Sequence, residues 1–167
     1  MCLFKDKWPK EDLTKEYIKA TKGIKSITKL NYFIVPFKRK EDKKDYWQSP
    51  SETYQKKTYD CEDMAIMVLD ILTRVIGIRK AWFIIYGGYY KTKEGERKYS
   101  AHAVVIFEHN NKLLNCEYSN KKLTFLKQGM NMIKNGYRHY PEGLKYYERR
   151  NPEGEIIEKK RKWIGYL

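Results

Sequence analysis

The sequence predicts an α+β fold, one buried helix packed on an antiparallel sheet, and three observations carry that prediction. Residues 64–76 form an unbroken, mostly apolar run, preceded by Asp60-Cys61-Glu62-Asp63 and followed by Gly77. Acidic residues in a first turn and glycine past the last one are the expected punctuation of a helix, here over 61–76. Downstream the period changes from helix to strand: residues 80–86, 99–108, 112–118 and 122–126 are rich in β-branched and aromatic side chains, and His109-Asn110-Asn111 supplies a tight turn between two of them. Successive hairpins build an antiparallel sheet, and a helix preceding such a sheet gives the α+β layering.

The remaining elements follow in chain order. Leu13, Tyr17, Ile18 and Ala20 recur at helical spacing, so residues 11–20 read as a short amphipathic helix ending near Gly23. The stretch 24–37 contains Tyr32-Phe33-Ile34-Val35, stopped by Pro36, and 38–45 is so charged that it reads as a solvated loop. Pro50 opens a short helix or turn over 51–57. After the first strand, Gly87-Gly88 and a Lys/Glu/Gly stretch around Lys93 and Gly95 read as a loop. Residues 130–133 suggest a short helix, and Asn151-Pro152-Glu153-Gly154 is a turn between two polar segments, 144–149 and 155–159.

A chain of 167 residues fits a single domain over 1–167, with an N-terminal helix and basic loop (1–45), a catalytic core (46–126) and a C-terminal extension with a basic tail (127–167). With 4 Trp, 15 Tyr and 6 Phe it is far too aromatic for a disordered chain. No apolar stretch reaches membrane-spanning length, and the first residues lack the apolar region of a signal peptide, so the expected location is cytoplasmic. Cys2, Cys61 and Cys116 are an odd number without metal-ligand spacing, which argues for reduced thiols. The net charge of +14 would attract polyanions weakly, although the lysines are spread along the chain as on a solvated surface.

Cys61 at a helix start is where a thiol becomes a nucleophile, because outward-pointing N–H groups and the positive end of the helix dipole favour the thiolate and lower the cysteine pKa. Such a nucleophile needs a base. His102 lies in the apolar strand segment Ser100-Ala101-His102-Ala103-Val104-Val105, whereas His109 and His139 read as exposed. A third group is expected to orient the imidazole. With a turn centred near Asn110, His102 pairs with a residue between 116 and 119, and both Asn115 and Glu117 have the parity to face it; Glu117 is nearer the expected level. The Cys61 backbone N–H is one oxyanion donor, and Trp47 or Gln48 would supply a second or wall the site, with Trp47 equally suited to anchoring its loop in the core.

Four segments, Tyr46-Trp47-Gln48-Ser49-Pro50-Ser51-Glu52-Thr53, Asp60-Cys61-Glu62-Asp63-Met64-Ala65, Ala101-His102-Ala103-Val104 and Asn111-Lys112-Leu113-Leu114-Asn115-Cys116-Glu117, together resemble the transglutaminase-like cysteine peptidase superfamily, and within it the bacterial transglutaminase-like cysteine proteinases. The similarity spans residues 46–118. The resemblance implies a transglutaminase-like/papain-like core with Cys61 as nucleophile, His102 as general base and Glu117 as third member, a longer carboxylate replacing the family's aspartate. Tyr59 stands where the family usually has glycine. Some members hold calcium through the acidic neighbours of the nucleophile, which here would be Asp60 and Glu62; without that implication these are ordinary first-turn carboxylates, and no cofactor is required.

The expected function is a cysteine-dependent amide hydrolase acting on a protein or peptide substrate through a thioester. The alternatives are an acyltransferase or transglutaminase on the same triad, a cell-wall amidase, and a non-catalytic basic module that binds nucleic acid or another polyanion.

Overall fold

The computed structural model describes residues 8–9, 12–41, 46–117, 122–126 and 130–161, with the backbone alone given for Glu117 and for residues 122–125. Helix α1 (Lys15–Thr21) is capped by the Thr14 hydroxyl, which accepts from the Tyr17 N–H. The stretch 24–37 holds a second helix, α2 (Ile27–Ile34), capped by Ser26 and burying Leu30 and Ile34; β-branched residues hid its period, and burial decided the outcome. Within the charged segment expected to be loop, strand β1 (Lys38–Arg39) pairs in parallel with β2 (Thr58–Tyr59), setting Arg39 opposite Tyr59; residues 42–45 lie outside those described.

Helix α3 (Pro50–Lys56) begins with a capping box in which the Ser49 hydroxyl and the Glu52 carboxylate each bond the other's backbone N–H. Helix α4 (Cys61–Asp70) begins in the same way, with Asp60 and Asp63 as the reciprocal pair. The expected helix over 61–76 does not stay α-helical throughout: Ile71–Val75 is a π-turn, closed by a bond from the Ile76 N–H to the Ile71 carbonyl. The Thr73 hydroxyl bonds back to the Leu69 carbonyl, a competition with the helical ladder that loosens the turn.

One six-stranded antiparallel sheet follows, in the order β6-β5-β4-β3-β7-β8. Its strands are β3 (Ala81–Lys91), β4 (Arg97–His109), β5 (Lys112–Glu117), β6 (Lys122–Phe125), β7 (Leu144–Arg150) and β8 (Ile156–Arg161). The β4–β5 hairpin turns as expected, with Asn110 and Asn111 both at positive φ. Two expectations are corrected. Strand β3 runs through Gly87-Gly88 instead of stopping there, because a Cβ at Gly88 would sit 2.5 Å from the Gly143 carbonyl, so glycine admits a close backbone approach. The polar segments 144–149 and 155–159 belong to the sheet; β7 pairs with β3 and makes that strand central.

The sheet is covered on both faces. Met64, Ala65, Met67 and Val68 of α4 pack with Phe83, Ile85, Ala103, Val105 and Phe107. On the opposite face Ile84, Tyr86, Val104, Ile106, Tyr140, Leu144 and Tyr147 form a second core, beneath helix α5 (Met132–His139). No helix among the described residues is long and apolar enough to cross a membrane.

Candidate active site

Asp60 caps α4 and Cys61 is its first residue, so the reactive-thiol candidate stands at the positive end of a ten-residue helix. The segment before α3 is fastened to this turn by one carboxylate. Asp63 accepts from the Gln48 backbone N–H at 2.7 Å and from the Gln48 side-chain amide at 2.6 Å. Gln48 and Asp63 are both buried, which removes water as a competitor for these bonds. The Gln48 side-chain N–H is therefore engaged within the scaffold, and its Oε1 is buried with no hydrogen-bond partner among the described residues. Trp47 sits in the core against Phe83, with ring centroids 5.5 Å apart, and the Arg150 guanidinium lies 5.4 Å from its ring; that is the anchoring role weighed for it from sequence. Tyr59, at the position of the family glycine, is buried in β2 opposite Arg39.

The electrostatics around Cys61 differ from the expectation of a lowered thiol pKa. Burial, and then the Glu62 carboxylate, push the thiol up, while a hydrogen bond from the Ala103 backbone N–H pulls the other way. The thiol donates to Glu62 Oε2 at 3.1 Å. A helix N-terminus contributes only about 0.3–1 kcal/mol at most exposed sites, too little to offset the desolvation of a half-buried thiol among carboxylates. The acidic neighbours are themselves strained: burial and Glu62 raise Asp60 to about 7, burial and Asp60 raise Asp63 to about 7, and burial raises Glu62.

The thiol abuts strand β4 at Ala103, the residue after His102. Strand alternation gives Ala103, Val105 and Phe107 to the α4 face and His102, Val104 and Ile106 to the α5 face. No hydrogen bond joins Cys61 to His102 among the described residues. The His102 ring lies 5.1 Å from that of His139, and His139 stacks on Tyr86 at 5.7 Å with an interplanar angle of 22°. His139 is thus half-buried, not exposed as its polar neighbours suggested, whereas His109 is exposed. The β4–β5 ladder pairs Ile106 with Asn115 and Val105 with Cys116, so Asn115 and the next-but-one residue, Glu117, keep the parity of His102. Asn115 is fully buried; the Glu117 side chain lies outside those described.

Several neighbours escaped the sequence reading. Tyr140 is buried on the α5 face, its hydroxyl 3.4 Å from Ser100 Oγ, and burial followed by weaker contributions that include Cys61 raises its pKa. Tyr140, Ser100 and His139 gather around the start of β4 from segments 40 residues apart, and no local pattern encodes that.

A helix that presents a cysteine at its first turn to an antiparallel sheet defines the class of fold: α+β, transglutaminase-like. Two solved structures of Legionella pneumophila LapG are similar to it. The calcium-bound form aligns with a TM-score of 0.51 at 21% identity, covering 91% of this chain and 80% of the other. A second LapG structure aligns with a TM-score of 0.50 at 21% identity, covering 87% and 74%. No protein-family model and no curated protein matches the chain.

Proposed function

We propose that the chain is a cysteine-dependent amide hydrolase in which Cys61 is the nucleophile and His102 the base. The observation that carries the reading is the packing of Cys61, the first residue of α4, against the core cluster that contains Ala103, the residue after His102 on β4. The fold shared with LapG is consistent with it.

The reaction follows from the chemistry of the pair. His102 takes the Cys61 proton as sulfur attacks the substrate carbonyl carbon, forming the C–S bond and an oxyanion beside the Cys61 backbone N–H. The oxyanion collapses, the C–N bond breaks, and the imidazolium gives its proton to the departing amine. Water, deprotonated by His102, then attacks the thioester; the C–S bond breaks, the imidazolium returns its proton to the Cys61 sulfur, and the acid leaves. The neutral, half-buried thiol means that ionisation has to be coupled to proton acceptance by His102 as substrate binds.

Glu117 is the preferred orienting group. It follows the Cys116–Val105 pair and so lies at the level of Val104, two residues or about 7 Å along the strand from His102, against about 13 Å for Asn115 at the level of Ile106. Trp47 and Gln48 support the site through packing and through Asp63, leaving the Cys61 N–H as its named oxyanion donor.

Calcium would enter through Asp60 and Glu62; the name of one LapG structure records that structure as calcium-bound. The residues present stop short of such a site. Asp63 is held by Gln48 and Glu62 by the thiol, and among the described residues no group of three His, Cys, Asp or Glu is arranged to hold a metal ion. No step is routed through calcium.

The test is alkylation by iodoacetamide at neutral pH together with hydrolysis of a peptide library, comparing the wild type with Cys61→Ala and His102→Ala. Hydrolysis should disappear with Cys61→Ala, leaving only labelling at Cys2 and Cys116, and both hydrolysis and labelling at Cys61 should fall about a hundredfold with His102→Ala. Unchanged hydrolysis in either variant would reject the assignment.

A further inference from the structure

Resting on that reading, we propose that His139 is a positioning residue for the catalytic imidazole: its ring, backed by Tyr86, is the wall that restricts the rotation of His102. The sequence motifs around Cys61 and His102 contain nothing of this, since His139 lies beyond them, on α5.

The wall is built in layers. Tyr86 is fully buried on β3, directly opposite His102 on β4. Its hydroxyl donates to the Met132 carbonyl and accepts from the Asn135 side-chain amide at 3.4 Å, so two residues of α5 fix the ring. Gly136 lets the helix come that close; a Cβ there would lie 2.6 Å from Tyr86 Cδ1. Met132, Asn135, Gly136 and His139 recur at helical spacing and share the face turned to the sheet. The last of them stacks on Tyr86 and meets the His102 ring at 5.1 Å with an interplanar angle of 50°.

A histidine at the margin of a strand has several staggered rotamers open to it, and only a fraction of them direct a ring nitrogen at the thiol. A flat, anchored surface along one side of that ring removes the rotamers that pass through it. The benefit is geometric: a misplacement of about 1 Å at a reacting group can cost as much as a hundredfold in rate.

The experiment follows the pH dependence of iodoacetamide alkylation at Cys61 in the full chain, for the wild type, His102→Ala, His139→Phe and His139→Leu, with thermal midpoints to show that each variant is folded. Leucine fills the volume without a flat face, while phenylalanine restores it. The expected result is about a tenfold slower reaction for His139→Leu, with the His102-dependent inflection broadened, and a rate within about threefold of wild type for His139→Phe. Should His139→Leu fail to fold, His139→Gln replaces it. A ringless variant within threefold of wild type, or faster than wild type, or a phenylalanine variant as slow as the leucine one, overturns the proposal. If His102→Ala leaves the rate and its pH dependence unchanged, the Cys61–His102 reading itself fails, and His139 has no base to position. A loss with His102→Ala but none with His139→Leu rejects only the wall.

Discussion

Asp63 holds Gln48 by both of that residue's nitrogens, the backbone N–H at 2.7 Å and the side-chain amide at 2.6 Å, so one buried carboxylate joins the segment before α3 to the first turn of α4. Replacing Asp63 with Ala leaves three buried donors unsatisfied, the two of Gln48 and the Asp60 backbone N–H, each at about 1–3 kcal/mol before relaxation. Chemical denaturation should show a loss of about 3 kcal/mol for Asp63→Ala and roughly 1 kcal/mol for Gln48→Ala. Equal losses in the two variants would mean that the backbone bond carries little.

The same turn sets a pH dependence. Asp60 and Asp63 are both raised to about 7 from the ordinary aspartate value of 3.8, by burial first and by a neighbouring carboxylate second. Between about pH 4 and 7 the folded chain therefore binds more protons than the unfolded chain, and stability falls as pH rises through that window. The thermal midpoint should be higher at pH 5 than at pH 8, and Asp60→Asn should flatten the difference. Glu148 works in the opposite sense. Burial raises it, but hydrogen bonds from Tyr146, Lys159 and Arg150 outweigh burial and hold it below its ordinary range, so its contribution is lost at the acid end.

On β7, Glu148 and Arg150 form an ion pair at 2.6 Å, with side chains 1% and 4% exposed, and Lys159 of β8 completes it at 2.9 Å. Removing one partner of so buried a pair strands the other's charge. Glu148→Ala should cost about 3–5 kcal/mol. Because Arg150 also lies over Trp47, near-ultraviolet circular dichroism should register the change in tryptophan environment; an unaltered spectrum would show that the stack survives without Glu148.

Gly136→Ala sets two effects against each other. Alanine gains about 1 kcal/mol in helix propensity, while its Cβ would press on a ring tethered at its hydroxyl, an overpacking cost of about 1–3 kcal/mol. The net expectation is a lower thermal midpoint. A raised midpoint would mean that α5 shifts freely.

With Glu117 as the proposed orienting group for His102, Glu117→Gln should slow Cys61 alkylation about tenfold or more while leaving the thermal midpoint close to wild type. Asn115→Ala, at a fully buried position, should lower the midpoint instead. The reverse pattern would assign the orienting role to the amide.

Much of this was legible in the chain. The acidic first turn Asp60-Cys61-Glu62-Asp63 and Gly77 bracket the Cys61 helix, Asn110-Asn111 fixes the hairpin, and the hairpin fixes the shared parity of His102, Asn115 and Glu117. These are local signals, written within a few residues of what they determine. Strand β7 was hidden because Leu144-Lys145-Tyr146-Tyr147-Glu148-Arg149-Arg150 reads as polar, and it is partners brought by the fold, Lys159 for Glu148 and the Gly154 carbonyl for Arg150, that make the Glu148–Arg150 pair compatible with burial. The neutral thiol was equally out of reach, since it depends on how deeply three carboxylates and a sulfur are packed together. His139 looked exposed for a similar reason: Arg138 and Tyr140 say nothing about a ring arriving on the far side of a sheet.

The placement of β7 and β8 also bears on how the chain is made. During synthesis from the N-terminus, β3 through β6 and the Cys61 helix are complete while β3 still presents one unpaired edge, and the strand that closes it begins only at Leu144. An open edge of Ala81-Trp82-Phe83-Ile84-Ile85 on a nascent chain is a template for pairing with another copy. Strands β7 and β8 thus act as an intramolecular chaperone for the first strand of their own sheet.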